Sequence, residues 1–224
     1  MASAGSAGLT LRRAALVAGI AYLLNPVSYA EFALWPKLMG VTADQTAANV
    51  AAHHGVLTGV FFAFFVNFIE DVVIAWALYF LLAPVNKALS LLAALFQLVY
   101  AAICFGGLFN LLPVLRTAVK PASVVELLLH WFRYDYSMGL VLFGVHLMLV
   151  GYLIYRSSYI PRWLGVVLSI DGLGWIVMCL QPYLYPTINV DYVGVTALGE
   201  LIFLVWLLFW GSRIKELDED VLRT

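Results

Sequence analysis

Apolar residues in this chain neither alternate with polar ones nor keep to one side of a helix. They run together in six long blocks, divided by short polar or proline-bearing breaks. A helix needs about 20 predominantly apolar residues to cross the hydrocarbon core of a bilayer. Six blocks qualify, at about 14–35, 56–83, 88–112, 138–155, 163–183 and 193–210. The pattern predicts an all-α fold. It is a polytopic transmembrane helix bundle of six spans, occupying 1–224 as a single domain.

Prolines sharpen the cuts, because proline removes a backbone donor and clashes with the preceding turn. Pro84 and Pro161 mark short turns at 84–87 and 157–162. Pro113 is expected to end the third span, and Pro182 with Pro186 to break the chain after the fifth. Pro26 lies inside the first span and predicts a kink or a discontinuity there. In the connection between the third and fourth spans, Ser123-Val124-Val125-Glu126 reads as a capping box opening a short helix. Leu127, Leu128, Trp131 and Phe132 would give that helix an apolar face, and His130 and Arg133 a polar one. Such a helix lies in the membrane interface; an ordinary surface loop is the plainer reading. Thr42-Ala43-Asp44-Gln45 is a second capping box, able to start a helix that runs on into the second span. No internal repeat is evident, and the only low-complexity stretch is the start at 2–8.

Composition agrees with the pattern. The chain is 64% hydrophobic and 11% charged, against about 45–50% and about 25% in soluble domains. A water-soluble fold has too little polar surface to cover it, so lipid is the expected solvent and the bilayer the expected partner. A net charge of −1 gives no case for nucleic acid. Cys104 and Cys179 lie in apolar runs with no CxxC or Cys/His cluster beside them, so neither a disulfide framework nor a metal site is expected. No nucleophile elbow, HExxH, phosphate loop or dinucleotide fingerprint is present, and no cofactor is evident.

Lys and Arg set the expected orientation. With the N-terminus inside, the inner side carries Arg12, Arg13, Lys87, Arg156, Arg162, Arg213, Lys215 and Arg223. The outer side carries only Lys37, Arg116, Lys120 and Arg133. Both termini are therefore expected in the cytoplasm, the chain lying in a prokaryotic inner membrane with an acidic, solvated tail at 216–220. A rival reading takes Arg12-Arg13, the run 14–24 and Ser28-Tyr29-Ala30 as a cleaved signal peptide. Asn25, Pro26, Tyr29 and Glu31 look instead like contents of a working helix.

The segment GYLIYRSSYIPRWLG (151–165), followed by SIDGLGWIV (169–177), is the most distinctive part. Together with DVVIAWALYFLLAPVNKALSLLAALF (71–96) and ELIFLVWLL (200–208), it resembles an uncharacterised bacterial and archaeal family of integral membrane proteins, a domain-of-unknown-function family with no established activity. The resemblance covers nearly the whole chain. It implies a prokaryotic membrane bundle with the first span retained, and it brings no catalytic residues. Physically, Arg156 and Arg162 bracket a cytoplasmic turn, while Tyr152, Tyr155, Tyr159 and Trp163 place amphipathic rings at the headgroups. Arg156, Tyr159, Arg162 and Trp163 are thus expected to be interface anchors.

The polar residues inside the spans carry the functional question. An Asp at a helix centre costs about 2.5–3.5 kcal/mol on insertion scales, so such groups face the bundle and find partners. Glu70 and Asp71 lie near the middle of the second span, and Asn67 is within one turn of both. Asn67, Glu70, Asp71 and Ile74 are expected to form one inward stripe, with at least one of the two acids keeping its proton at neutral pH. His146 and Asp171 lie at mid-depth in the fourth and fifth spans, and Glu200 in the outer half of the sixth, on a stripe with Thr196 and Phe203. Gln97, Tyr100 and Cys104 share a face of the third span; Tyr22, Asn25 and Tyr29 share one of the first. No Lys or Arg is expected at mid-membrane to neutralise the acids. His53-His54, at the outer interface, are expected to be exposed. Gly106-Gly107, and Gly172 with Gly174, read as close-packing points.

Glu70, Asp71, Asn67, His146, Asp171 and Glu200 are therefore the candidates for binding a ligand or a proton. A binding or transport bundle for a small molecule, proton or cation is the favoured class, with an apolar or cationic ligand and a homo-oligomer as expected partners. Asn25-Pro26 gives one broken helix of the kind carriers use, and the second half shows no matching break. An intramembrane enzyme using a protonated carboxyl on a lipid or isoprenoid is the first alternative. A non-catalytic sensor or accessory subunit is the second, and interhelical hydrogen bonds alone are the bland explanation.

Overall fold

A computed structural model describes residues 9–116 and 121–214. Lys120, Lys215, Arg223, the start at 2–8 and the acidic tail at 216–220 lie outside the described residues. Within them every regular element is helical. In chain order these are α1 (Leu11–Leu24), α2 (Val27–Tyr29), α3 (Ala43–Ala52), α4 (His54–Leu82), α5 (Lys87–Gly107), α6 (Leu112–Arg116), α7 (Ala122–Arg156), α8 (Arg162–Leu184) and α9 (Leu198–Phe209). Six stretches are long and apolar enough to cross a membrane: Leu11–Lys37, His54–Leu82, Lys87–Arg116, Ala122–Arg156, Arg162–Leu184 and Asp191–Phe209. The protein is a multi-pass membrane protein, and these are spans 1 to 6.

Their starts follow from local chemistry. Thr10, Thr42 and Asn86 each precede a helix and accept a hydrogen bond from the backbone N–H three residues on, the N-cap arrangement. The Thr42 cap starts α3 as the sequence predicts, but α3 does not run on into α4. His53 leaves the helical region between them, with φ −120° and ψ 41°. Span 1 breaks at Asn25–Pro26 and continues as α2, a π-helical stretch Ala30–Leu34 and a 3-10 turn Trp35–Lys37. Pro113 does not end span 3; α5 loosens at Gly107 into a 3-10 turn Leu108–Asn110, and Pro113 sits in the first turn of α6, where its missing donor costs little. Pro182 falls within the last turn of α8 instead of beyond it. The helix expected at 123–133 is present, and it continues without a break into span 4, giving α7 its 35 residues.

Neighbours in sequence are neighbours in space. Span 1 packs on span 2, span 2 on span 3, span 3 on span 4, span 4 on span 5 and span 5 on span 6, and span 6 returns to span 1. The six spans therefore close into a ring. Outward faces carry Phe62, Val66, Ile69, Val72 and Trp76 from α4 and Leu91, Leu95 and Val99 from α5, all exposed, as helices bathed in lipid should. The inside is aromatic at its centre, with Phe64, Phe132, Tyr136, Phe68 and Tyr100 in edge and stacked contacts.

The tightest seam joins α7 to α8. A Cβ on Gly144 would lie 2.5 Å from the carbonyl oxygen of Gly172, and one on Gly151 2.5 Å from that of Gly165. Two glycine pairs seven residues apart on each helix thus let the backbones touch. The turn after α7 is tied by Ser157, whose hydroxyl donates to the Ile154 carbonyl and accepts from the Ile160 N–H. The Tyr159 hydroxyl donates to the carbonyl of Leu81 at 2.6 Å. Tyr159 thus fastens this turn to the end of α4; burial pushes its phenol above the ordinary value, so it stays a donor. Trp163, Tyr152 and Tyr155 are half exposed, and the Arg162 guanidinium lies 5.9 Å from the Tyr155 ring centroid.

Candidate functional site

Inside the ring lies a cavity of about 390 Å³ to which all six spans contribute. Its size falls in the range usual for small-molecule sites, about 300–1,000 Å³. Span 1 contributes Tyr22, Asn25, Ser28, Glu31 and Phe32, and span 2 Asn67 and Asp71. Tyr100 comes from span 3; Arg133, Tyr136 and Phe143 from span 4; Trp175 and Met178 from span 5; and Ala197, Glu200, Leu201 and Leu204 from span 6.

On one wall a chain of amides ends on a carboxylate. The break at Pro26 frees the Asn25 side chain, whose Oδ1 accepts the N–H of Val27 and whose Nδ2 donates to Asn67 Oδ1 at 2.5 Å. Asn67 Nδ2 in turn donates to Asp71 Oδ2 at 3.0 Å, one helical turn along α4. Gln97 Nε2 donates to Asp71 Oδ1 at 3.2 Å. Both carboxyl oxygens are thus held by neutral donors, and Asp71 is buried. Neutral donors orient a charge without cancelling it, and a buried charge left uncancelled is costly.

Another wall is built at the start of α9. Glu200 Oε1 accepts the indole N–H of Trp175 at 3.0 Å. Asp171 sits behind it, fully buried, and Asp171 Oδ2 accepts the backbone N–H of Glu200 at 3.0 Å. Asp171 therefore caps α9 from a neighbouring helix, a favourable place for a carboxylate. The stretch before it, Asp191–Ala197, is 3-10 helix, longer than such runs usually are. Span 6 thus has an irregular half of its own, the counterpart to the break in span 1 that the sequence did not show. Both irregular halves line the cavity.

A cationic side chain, Arg133, also lines the cavity. Arg133 Nη1 reaches both oxygens of Glu31 at 2.5 and 2.6 Å, and its guanidinium lies 5.4 and 5.8 Å from the rings of Trp35 and Tyr136. Because α7 is continuous, Arg133 rides on the same helix as the core residues Tyr136 and Phe143 and points inward with them. Glu31 occupies this cation through both of its oxygens.

The sequence-derived candidates divide accordingly. Asn67, Asp71 and Glu200 share the cavity, and Asp171 stands directly behind Glu200. Glu70 does not line the cavity. The inward stripe is Asn67, Asp71 and Ile74, with Glu70 half buried to one side, because a single residue step turns a helix by about 100°. His146 is buried against span 3, its Nδ1 2.8 Å from the Ala93 carbonyl, and it does not line the cavity. Tyr22 and Asn25 line it, whereas Tyr29, beyond the break that shifts the helical register, is 64% exposed. Tyr100 faces the cavity; Cys104, one turn on, packs against the backbone of Asp135 and Tyr136. His53 and His54 are exposed, and His54 Nε2 lies 3.0 Å from the Leu115 carbonyl. The sequence points to Glu31 only as content of a working helix and to Arg133 only as part of a polar helix face, not to either as a site residue; their one visible signal is an acid and a base in two segments of uncertain helicity.

Comparison with known proteins places these features in one family. The family model described as Domain of unknown function (DUF4386) matches residues 17–211, which covers every residue of the cavity. An uncharacterised protein of Archaeoglobus fulgidus is 36% identical over 152 residues, spanning 68% of this chain and 83% of its own. No solved structure matches the chain.

Proposed function

The chain belongs to the DUF4386 family of unknown function, and on that premise we propose that it is a membrane bundle that binds, and moves across the bilayer, a small cation in exchange for protons. The observation that carries this reading is Asp71, buried in the cavity wall with both oxygens held by the amides of Asn67 and Gln97 and no cationic side chain paired with it among the described residues. A carboxylate so placed needs a proton or a bound cation to offset its burial. Glu200, which lines the same cavity, offers a second acceptor. The aromatic lining of Tyr22, Tyr100, Tyr136, Phe143 and Trp175 suits an organic cation, which gains from ring faces as well as from charge. Irregular backbone inside span 1 and in the first part of span 6, beside a cavity, is the arrangement membrane proteins tolerate at ligand sites.

The orientation we propose puts both chain ends in the cytoplasm of a prokaryotic cell, from the excess of Lys and Arg on that side. The cavity wall carrying Glu31 and Arg133 then belongs to the outer half.

Titration of the purified protein in nanodiscs with tetramethylammonium tests the binding step. Saturable stabilisation against heat, lost in Asp71→Asn and Glu200→Gln, is expected. Flux of the same cation into proteoliposomes under an imposed pH gradient tests transport. Saturable binding without flux reduces the proposal to a receptor or sensor; neither binding nor flux in a folded protein removes it.

A further inference from the structure

The ring of spans is closed unevenly, and the place where it opens says how a ligand reaches the cavity. Spans 1 and 6 meet closely only at the end that holds the described chain termini. There Gly19 lies against Leu207 and Leu208, Gly211 lies against Ala15, and Arg12 Nε donates to the Ile214 carbonyl at 2.7 Å. Toward the other end the two part company. After the break at Pro26, residues 27–37 lean on α4, while the 3-10 stretch Asp191–Ala197 leans on α8. Between them the cavity is flanked by Phe32, which is 84% exposed, and Leu201, which is 53% exposed. Both residues lie within stretches apolar enough to span the membrane, and we take this exposure to face lipid.

From this geometry we infer that the seam between spans 1 and 6 is a lateral entrance from the bilayer, and that the ligand is a single-chain amphiphilic cation whose head sits between Asp71 and Glu200 while its tail leaves between Phe32 and Leu201. The inference rests on the cation-binding reading above and adds the ligand's class and route. Polarity changes along the cavity in the order such a molecule requires. Asp71 is buried in the cavity wall, whereas Leu201 and Phe32 line the same cavity with largely exposed side chains. The Tyr22 hydroxyl, buried among these groups, has no hydrogen-bond partner among the described residues and is one more group for a polar head to satisfy.

A photoactivatable probe decides the matter. The probe is an alkyltrimethylammonium with a diazirine midway along a twelve-carbon tail, applied to the protein in phosphatidylcholine nanodiscs, with labelled residues mapped by mass spectrometry. Labelling should concentrate on 27–32 and 197–204. It should fall by about tenfold or more in Asp71→Asn, the loss expected for one charge-assisted contact, and should not appear with the same tail on a hydroxyl head. Leu201→Trp, a change at an exposed position that leaves the fold intact, should slow labelling by narrowing the seam. Labelling spread evenly over the lipid-facing sides of α4 and α5 overturns the lateral entrance. If tetramethylammonium still binds in an Asp71-dependent way under that result, the cation reading stands and the cavity fills from water. If neither probe responds to Asp71→Asn in a protein that remains helical and monodisperse, both readings fall.

Discussion

Asp71 and Arg133 show how much depends on single partners. Replacing Asp71 by Asn keeps the shape and one of the two accepted hydrogen bonds, and Gln97 Oε1, unpartnered among the described residues, can accept from the new amide once the Gln97 side chain turns over. The charge is removed, so the fold should survive and cation binding should not, and melting and ligand titration of one preparation separate the two. The Glu31–Arg133 pair is only partly exposed, at 19% and 38% of side-chain area respectively. Breaking it by Glu31→Gln should cost about 1–2 kcal/mol, between the values for surface and buried pairs, and Glu31→Gln with Arg133→Gln should cost less than either alone. A thermal double-mutant cycle measures this, and additive losses would show that the pair is not coupled. Tyr159→Phe removes a donor to Leu81 and should cost about 1 kcal/mol. The folded Tyr159 phenol holds its proton more tightly than the unfolded one. Its contribution is therefore complete below about pH 10 and lost as pH rises further, and the variant should lose stability less steeply than the parent in that alkaline range.

Helices meet the rest of the account. At the α7–α8 seam a side chain has nowhere to go, so Gly151→Leu or Gly144→Leu should abolish a stable bundle, whereas Gly55→Ala, with open space around its Cβ position, should be neutral or stabilise by up to about 1 kcal/mol. Yield of monodisperse protein and its melting temperature read both. The spans themselves were legible because a run of 20 apolar residues has few other uses, and the break in span 1 because Pro26 cannot continue a helix. The Asn67–Asp71 contact was legible because it lies within one turn. What escaped was set by tertiary structure. Nothing local says that α7 passes through 134–138 without interruption, and so nothing local brings Arg133 inward to Glu31, 102 residues away. Asp171 reads as a mid-membrane acid until α9 is seen to start beside it. Glu70 and Asp71 are equivalent in sequence, and only the packing of α4 on its neighbours chooses Asp71.

For the molecule as a whole, a ring of six spans with its ends joined by Arg12 and Ile214 requires both described ends to lie on one side of the membrane. Reporter fusions at 214 and at the 185–190 connection should report opposite sides, with the former in the cytoplasm; equal signals would contradict the six-span ring. The larger claim is that the ring encloses a carboxyl site that exchanges a proton for a cation, and infrared spectroscopy of the protein in lipid addresses it most directly. At neutral pH the difference between the parent and the Asp71→Asn, Glu200→Gln double variant should contain a protonated-carboxyl C=O band, and saturating tetramethylammonium should erase that band from the parent. A band that the cation leaves unchanged, or a difference spectrum without one, would contradict the account.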